Sequence, residues 1–391
     1  GVIANTRSGE PGADDATILI RGKGTLGNTS PLIVVDGIAD RSFSRLNSED
    51  VESISVLKDA SAAIYGARAA NGVILVTTKR GKEGKVKLNY SGNVSFSQPT
   101  RVPKMLNAYQ YATYVNEFDA AQGNSLTYPE TALTKIKDGS DPINYPDTNW
   151  WNAVAKDWAT NTEHSLAISG GNEKISFYSS AQYMYQDVIY KNSPQNYNQY
   201  QFSTNLDAKI TKAIKFGFDI LGRQTVDNRG VRTTEDLFSY FLTTSPMSAP
   251  YYPNGLLRTG YDGITNNAVL MVSDLPGTSK TTNNTLNLKP KIRIDLDVIT
   301  PGLYAEGYAA LDYTFNNGKT TNTPYDIYSY DSVSGEYTNQ RDATGSVSVS
   351  SWSSNSSSIT LNVRIGYSHL FNNAHQINAF VAYLSLIHIS E

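Results

Sequence analysis

The run Val51-Glu-Ser-Ile-Ser-Val-Leu-Lys58-Asp59-Ala-Ser-Ala-Ala-Ile-Tyr65-Gly66-Ala-Arg68-Ala-Ala-Asn71-Gly72-Val-Ile-Leu-Val-Thr-Thr-Lys79 sets two apolar segments around an Ala-rich centre. Val51–Leu57 and Gly72–Thr78 read as strands, and Val73–Val76 is apolar throughout, as a strand buried on both faces would be. Ala60–Ala70 suits a short helix that Asp59 would cap, because a carboxylate accepts from the freed N–H groups of a first turn. Gly66 and Gly72 flank a compact stretch in which small side chains let backbones approach closely. Upstream, Thr17–Arg21 and Leu32–Val35 are two further short apolar runs. Together they predict a small α/β unit over residues 1–84, leaving through the Gly81-Lys-Glu-Gly84 linker.

From Lys85 the texture changes to long alternating segments. In Ile214–Leu221, Ile214, Phe216, Phe218 and Ile220 share one face, while Lys215, Gly217 and Asp219 share the other. Ile175–Tyr185 and Ile359–Tyr367 repeat the pattern. The links alternate in length. Short turns fall near Gly170–Glu173, Thr211–Ala213, Val298–Gly302 and Asn372–His375. Long links fall at Pro99–Trp158, Asp227–Thr281 and Asn316–Thr344, with a medium one at Lys191–Asn196. Short turns on one side and long loops on the other are the mark of an up-and-down transmembrane barrel, whose strands need about 9–11 residues to cross while tilted. A soluble β-sandwich, either a glycan-binding module or an enzyme, is the alternative from another class. Tyr183, Tyr185, Tyr190, Tyr197 and Tyr200 lie near strand ends, as an interfacial aromatic belt or ordinary β-propensity would place them. Asn107–Gln122 has helical character, with Tyr111, Val115 and Phe118 on one side, and Thr234–Thr243 suits another short helix.

Composition agrees with a strand-and-turn protein. The 391 residues include 26 Tyr, with 18% charged and 39% hydrophobic. A net charge of −3 and the lack of a basic stripe argue against nucleic acid as a partner. There is no Cys, which removes disulfides and thiolate metal sites. His164, His369, His375 and His388 have no metal-ligand spacing, so neither a metal nor a cofactor is expected. Gly22-Lys-Gly-Thr-Leu-Gly27 matches G-x-G-x-x-G but runs into Pro31 rather than a helix start, so it reads as a loop and not a nucleotide site. The acidic pairs Asp14-Asp15 and Glu49-Asp50 read as solvated turns, and no catalytic constellation is expected. The chain begins with Gly1 and has no leader pattern, so it is expected to start inside a longer protein.

The quoted run, with Leu57-Lys58-Asp59-Ala60 and Tyr65-Gly66-Ala67-Arg68-Ala69-Ala70-Asn71-Gly72, resembles the plug of TonB-dependent outer-membrane transporters, in its SusC/RagA form from Bacteroidetes. Ile20-Arg21-Gly22 and Pro31-Leu-Ile-Val-Val-Asp36-Gly37 resemble it too. The resemblance implies a plug domain followed by an antiparallel transmembrane β-barrel of about 22 strands, of which residues 85–383 would supply about nine. It implies Lys58, Asp59, Tyr65, Gly66, Arg68, Asn71 and Gly72 as the plug signature, with a structural role. It also implies active import of oligosaccharides or peptides across the outer membrane, without covalent chemistry. The partners would be TonB with its inner-membrane energising complex, a SusD-like lipoprotein lid and outer-membrane lipid. A siderophore- or cobalamin-type receptor is the alternative within the class. Trp150, Trp151 and Trp158 are candidate substrate-contacting aromatics, or anchors of the first long link on the barrel rim. Leu384–Glu391 reads as an adaptor-derived, non-native tail, so the last strand is expected to end near Tyr383 with an unpaired edge at Gln376–Tyr383.

Overall fold

A computed structural model describes residues 2–6, 8–20, 22, 29–102, 104–231, 237, 240–241, 243–260, 267–341, 343–371 and 375–390, without the side chains of 59, 60, 63, 64 and 390. The N-terminal unit opens with the hairpin β1 (Val2–Thr6) and β2 (Ala16–Ile20). A four-stranded sheet follows, built from β3 (Leu32–Val35), β4 (Ile38–Ala39), β5 (Val51–Leu57) and β6 (Val73–Thr78) in the order β4-β3-β6-β5. β6 runs parallel to β3 and antiparallel to β5. Its central place explains its composition: Val73, Ile74 and Val76 are buried, Val73 against Leu32, Val34, Ala62 and Ala69 on one side of the sheet. Ile20, Val35, Ile74 and Val76 form the cluster on the other. Asp36 and Gly37 turn β3 into β4 with φ of 49° and 82°, the two-residue hairpin geometry that favours Asp-Gly.

The expected Ala-rich helix is instead a 3-10 segment, Asp59–Ala69, broken at Gly66, whose φ of 67° and ψ of −155° no helix accommodates. Asp59 is its first residue, not its cap. The cap position is Lys58, and Ser61 serves it: the Lys58 N–H donates to Ser61 Oγ, which donates to the Lys58 carbonyl.

The rest of the chain forms one nine-stranded antiparallel meander, the wall. Its strands are β7 (Gly84–Ser97), β8 (Ala159–Gly171), β9 (Ile175–Asp187), β10 (Asn196–Lys209), β11 (Ile214–Gly230), β12 (Gly277–Asp295), β13 (Leu303–Asn322), β16 (Ser348–Phe371) and β17 (His375–Ser390). A small hairpin, β14 (Ile327–Tyr330) and β15 (Tyr337–Arg341), interrupts it. Each wall strand pairs with its neighbours in sequence, and among the described residues β7 and β17 do not pair with each other. The sheet is thus open, as a part of a larger barrel is expected to be.

Directly opposed residues share a face, so the register sorts every side chain. One face carries an apolar stripe across the whole wall, running through Leu88, Leu166, Phe202, Leu286, Leu311 and Val363. The opposite face carries Gln199, Asn205, Asp219, Lys289, Asp312 and Thr360 and holds the N-terminal unit. On β12 the outward apolar positions are Leu286 to Ile294, and on β16 they are Ile359 to Tyr367. Each stretch fits the 9–11 residues of a tilted membrane crossing.

Several strands outrun the sequence pattern. The link expected at Asp227–Thr281 shrinks to 231–276, because β11 and β12 continue past the apolar band with largely polar faces, and that expected at Asn316–Thr344 moves to 323–347, because β13 continues to Asn322 while β16 begins only at Ser348. β9 ends at Asp187, so the medium link starts earlier than Lys191. The last strand does not stop at Tyr383. It stays in register with β16 to Ser390, but Leu384 and Leu386 now turn to the polar face and Ser385 to the apolar one, reversing the alternation upstream. The turn expected at Asn372–His375 lies mostly outside the described residues, as does Lys23–Gly27 of the glycine motif.

The long links hold α1 (Ala108–Gln122), α2 (Glu130–Asp138), α3 (Trp150–Val154) and α4 (Ala268–Val272). They interlock. Trp150 and Val154 pack with Val188, Tyr190, Leu237, Tyr240, Phe241, Ala268 and Val272, three separate links in one cluster. Met247 packs on Ala108, Ala112 and Ile136, and Leu257 and Leu270 pack on Tyr325 and Ile327.

Candidate functional site between the N-terminal unit and the wall

The N-terminal unit meets the wall through polar side chains. Asp50 ends the 3-10 turn Ser48–Asp50, which Asn47 caps by accepting from the Glu49 N–H. That turn pushes the Asp50 carboxylate into the wall, where it is only 4% exposed. Tyr178 Oη donates to it at 2.9 Å, Ser180 Oγ at 2.8 Å and Ser203 Oγ at 3.0 Å. Three hydroxyls thus hold a buried carboxylate that forms no ion pair among the described residues, which replaces the solvated turn expected of Glu49-Asp50. Next to it, Asn47 Nδ2 donates to Ser165 Oγ at 2.9 Å, and Gln199 Nε2 donates to the Arg45 carbonyl at 3.1 Å.

Charged pairs flank this centre. Arg41 donates to Asp312 at 2.6 and 2.9 Å. Arg45 meets both Asp14 and Asp15 at 3.0 Å, so this acidic pair too has a partner. Lys289 reaches from β12 to the Asp36 carbonyl at 2.6 Å. Arg80, two residues past β6, forks onto both oxygens of Asp219 at 3.0 and 2.8 Å and reaches Asp207 at 3.3 Å. Burial alone would lower the Arg80 pKa. The hydrogen bond and charge of Asp219, with the charges of Asp207 and Asp36, outweigh it and hold the group above its ordinary value. Lys291 completes this cluster at 2.8 Å from Asp207. Gly81 follows Arg80 and lies flat on β9: a Cβ there would sit 2.2 Å from the Phe177 nitrogen. The linker is therefore stapled to the wall before β7 begins.

Between the unit and the wall, a cavity of about 50 Å³ remains, lined by Asp36, Asp50, Thr78, Asn205 and Asp219 among others. That is room for a water or two and not for an oligomer. A wider cavity of about 410 Å³ opens toward the short turns, bordered by Glu83, Lys289, Lys291, Tyr308 and Arg364.

The signature residues do not make these contacts. Tyr65 packs on the cluster of Leu32, Ala62 and Val73. Gly72, at φ 89°, leaves room for Ile20, and its carbonyl accepts from the Leu32 N–H. Asn71 donates to the Ser30 carbonyl at 3.4 Å. Arg68 pairs with Asp40 of the same unit, and the Asp59 side chain lies outside the described residues. Lys58 and Gly66 shape the 3-10 segment. Among the described residues, these hydrogen bonds and packing contacts of the signature lie within the unit, and Arg41, Asp50 and Arg80 bridge to the wall.

The three tryptophans separate. Trp150 is 5% exposed, edge-on to Tyr240 at 5.5 Å, with Nε1 donating to the Ser245 carbonyl. It is core and presents no face to a ligand. Trp151 is edge-on to Phe241 at 5.9 Å and partly buried. Trp158 is 51% exposed, beside Gln98, Pro99 and Lys156. Of the tyrosines, Tyr183 and Tyr200 pair at 5.2 Å on the outer face, while Tyr190 and Tyr197 are buried. Among the described residues no group of three or more His, Asp or Glu is arranged to hold a metal.

Residues 1–73 match the family model of the TonB-dependent receptor plug domain. TonB-dependent receptor P26 of Formosa agariphila is 35% identical over 227 residues, covering 56% of this chain and 22% of its own. TonB-dependent receptor SusC of Bacteroides thetaiotaomicron is 34% identical over 218 residues, covering 53% of this chain and 20% of its own. The structure of the RagAB peptide importer in its closed-closed state superposes with a TM-score of 0.77 at 23% identity, covering 100% of this chain and 45% of that one. The chain thus spans about a fifth of the length of the curated relatives it matches. A plug unit seated on the polar face of a wall whose other face is an apolar band, with these relatives, places the chain in the outer membrane, among the SusC/RagA-like TonB-dependent receptors.

Proposed function

We propose that this chain supplies the plug and part of the wall of an importer that moves oligosaccharides, or peptides, across the outer membrane. TonB, driven by its inner-membrane complex, displaces the plug, and a SusD-like lipoprotein closes the outer mouth. The chain performs no covalent chemistry. The observation that carries the reading is the closed interface: about 50 Å³ between plug and wall, bridged by Asp50, Arg41 and Arg80. No oligomer passes between the plug and this part of the wall, so passage on this side requires the plug to move. The interface suits that movement, because hydrogen bonds and ion pairs can be replaced by water as the plug leaves, whereas an apolar seam of equal area would resist wetting. SusC among the sequence relatives supports the type of machine, and the RagAB peptide importer keeps peptides beside glycans as cargo.

The test is uptake of fluorescent hexasaccharides and of a labelled peptide digest by cells carrying the complete transporter, with and without tonB. The reading expects accumulation of at least one of the two to fall to background when tonB is deleted. Uptake that persists without TonB, or no uptake of either cargo, contradicts it.

A further inference from the structure

Trp352 stands where the function just proposed needs a contact. It pairs with Gly318 of β13, and both belong to the face that carries Asp312 and Thr360, the plug-facing side. It sits seven residues above Ile359, where the apolar band begins. At ~3.3 Å per residue this is about 23 Å further along the strand toward the long links. An interfacial belt residue would face outward at the band, so Trp352 is not one.

Its ring is held flat. A Cβ built on Gly318 would meet Trp352 Nε1 at 2.2 Å and Cε2 at 2.5 Å, so the indole lies across the bare glycine backbone. One face is seated on Gly318, and the residue is 51% exposed at a point where β16 pairs with β13 alone, since β17 runs beside it only as far as Ser356. Its nearest neighbours on the same face carry hydroxyls and amides and no charge. Asn316 and Thr320 lie on either side of Gly318, Ser350 and Ser354 on either side of Trp352, and Thr281 and Asn283 on β12. On this face of β13 charge begins lower, at Asp312, while at the height of Trp352 the charged wall residues are Asp227 and Arg229 on β11, paired with each other and, through Arg229, with Glu10. Asn316 Oδ1 is buried yet accepts no hydrogen bond among the described residues, although nearly all such acceptors in folded proteins are satisfied.

We propose that Trp352 on Gly318, with Asn316 beside it, is a stacking subsite for a pyranose ring of a neutral oligosaccharide at the outer mouth. A flat aromatic face with one side free suits the C–H face of a sugar ring, and the wall offers partners for its hydroxyls. Turning the Asn316 amide outward would bring its unpaired oxygen within reach of a sugar hydroxyl. The nearest side chains on this face carry no charge, which disfavours an acidic or basic group on the cargo at this spot, because it would lose hydration without gaining a counter-charge. The inference rests on the import reading above for its setting, but not for its test.

That test is direct binding by the purified complete transporter in detergent, where TonB plays no part. The probes are four neutral hexasaccharides, with gluco, manno, xylo and galacto backbones, and a tryptic peptide digest for comparison. Calorimetry should find at least one hexasaccharide bound. Trp352→Ala should weaken it tenfold or more, Trp352→Phe less than about threefold, and Asn316→Ala about threefold or more, with the thermal unfolding temperature unchanged in all three. Binding of none of the hexasaccharides, binding unaltered by Trp352→Ala, or equal losses in Trp352→Ala and Trp352→Phe would each overturn the proposal. Loss of TonB-dependent uptake with hexasaccharide binding intact would count against the import reading alone.

Discussion

Asp50 is the residue on which the plug's seat turns. Its carboxylate gives up water for three wall hydroxyls, an exchange that stabilises only while every donor is in place. Asp50→Ala leaves Tyr178, Ser180 and Ser203 facing a void and removes three charge-assisted hydrogen bonds. The expected cost is about 3 kcal/mol in the plug–wall association. Hydrogen exchange should detect it as faster exchange in Val51–Leu57 with the wall strands unaffected, and unchanged exchange there would show that Asp50 does not anchor the plug. Little of this was legible in the sequence. The signature Lys58 to Gly72 stands out because its residues are neighbours in the chain and its glycines and alanines answer to local packing. Asp50 and Tyr178 are 128 positions apart, and Arg80 and Asp219 are 139 apart, so neither pair leaves a local trace. One signal was available. In a chain with 18% charged residues, Asp207, Asp219, Lys289 and Asp312 fall on the polar face of alternating strands, and charges on an enclosed face require partners.

At the level of the strand, alternation located the membrane and missed the ends. Ile214–Leu221 and Ile359–Tyr367 read correctly because a half-buried strand writes its two faces into every second residue. Beyond the band both faces are wet. Gly277–Thr281 and Asn316–Asn322 lose the pattern while the backbone ladder continues, so the links read longer at those ends than they are. The break at Gly66 was hidden for the opposite reason: an Ala-rich stretch has helical propensity throughout, and a single ψ decides where it ends. The band makes its own prediction. Val363 lies within it, facing outward at 55% exposure, so Val363→Arg should destabilise the complete transporter by about 2–4 kcal/mol in lipid vesicles. Asn362→Arg, on the inner face, should cost far less. Equal denaturation midpoints for Val363→Arg and wild type would show that this face does not meet lipid.

Over the whole molecule, three parts adjoin: the outer links, the wall and the plug. The outer links form a packed layer through Trp150, Met247 and Leu257, the wall turns its apolar face outward, and the plug sits on the polar face through bonds that can exchange with water. The order of short and long links was readable from sequence, since turn residues and strand periods are local. The packing of separate links on one another was not, because Trp150 and Tyr240 come from different loops. The central claim is that the plug must leave its seat for cargo to pass. The sequence contains no Cys, so a single engineered pair can be read cleanly. Asn47 and Ser165 touch across the seat at 2.9 Å. In the complete transporter carrying Asn47→Cys and Ser165→Cys, the thiols are oxidised or bridged by a short bis-methanethiosulfonate reagent, and uptake of labelled cargo is followed in tonB-positive cells. The account predicts that bridging stops uptake and that reduction restores it, while either single variant imports as wild type does. Undiminished uptake through a fully bridged plug would contradict it.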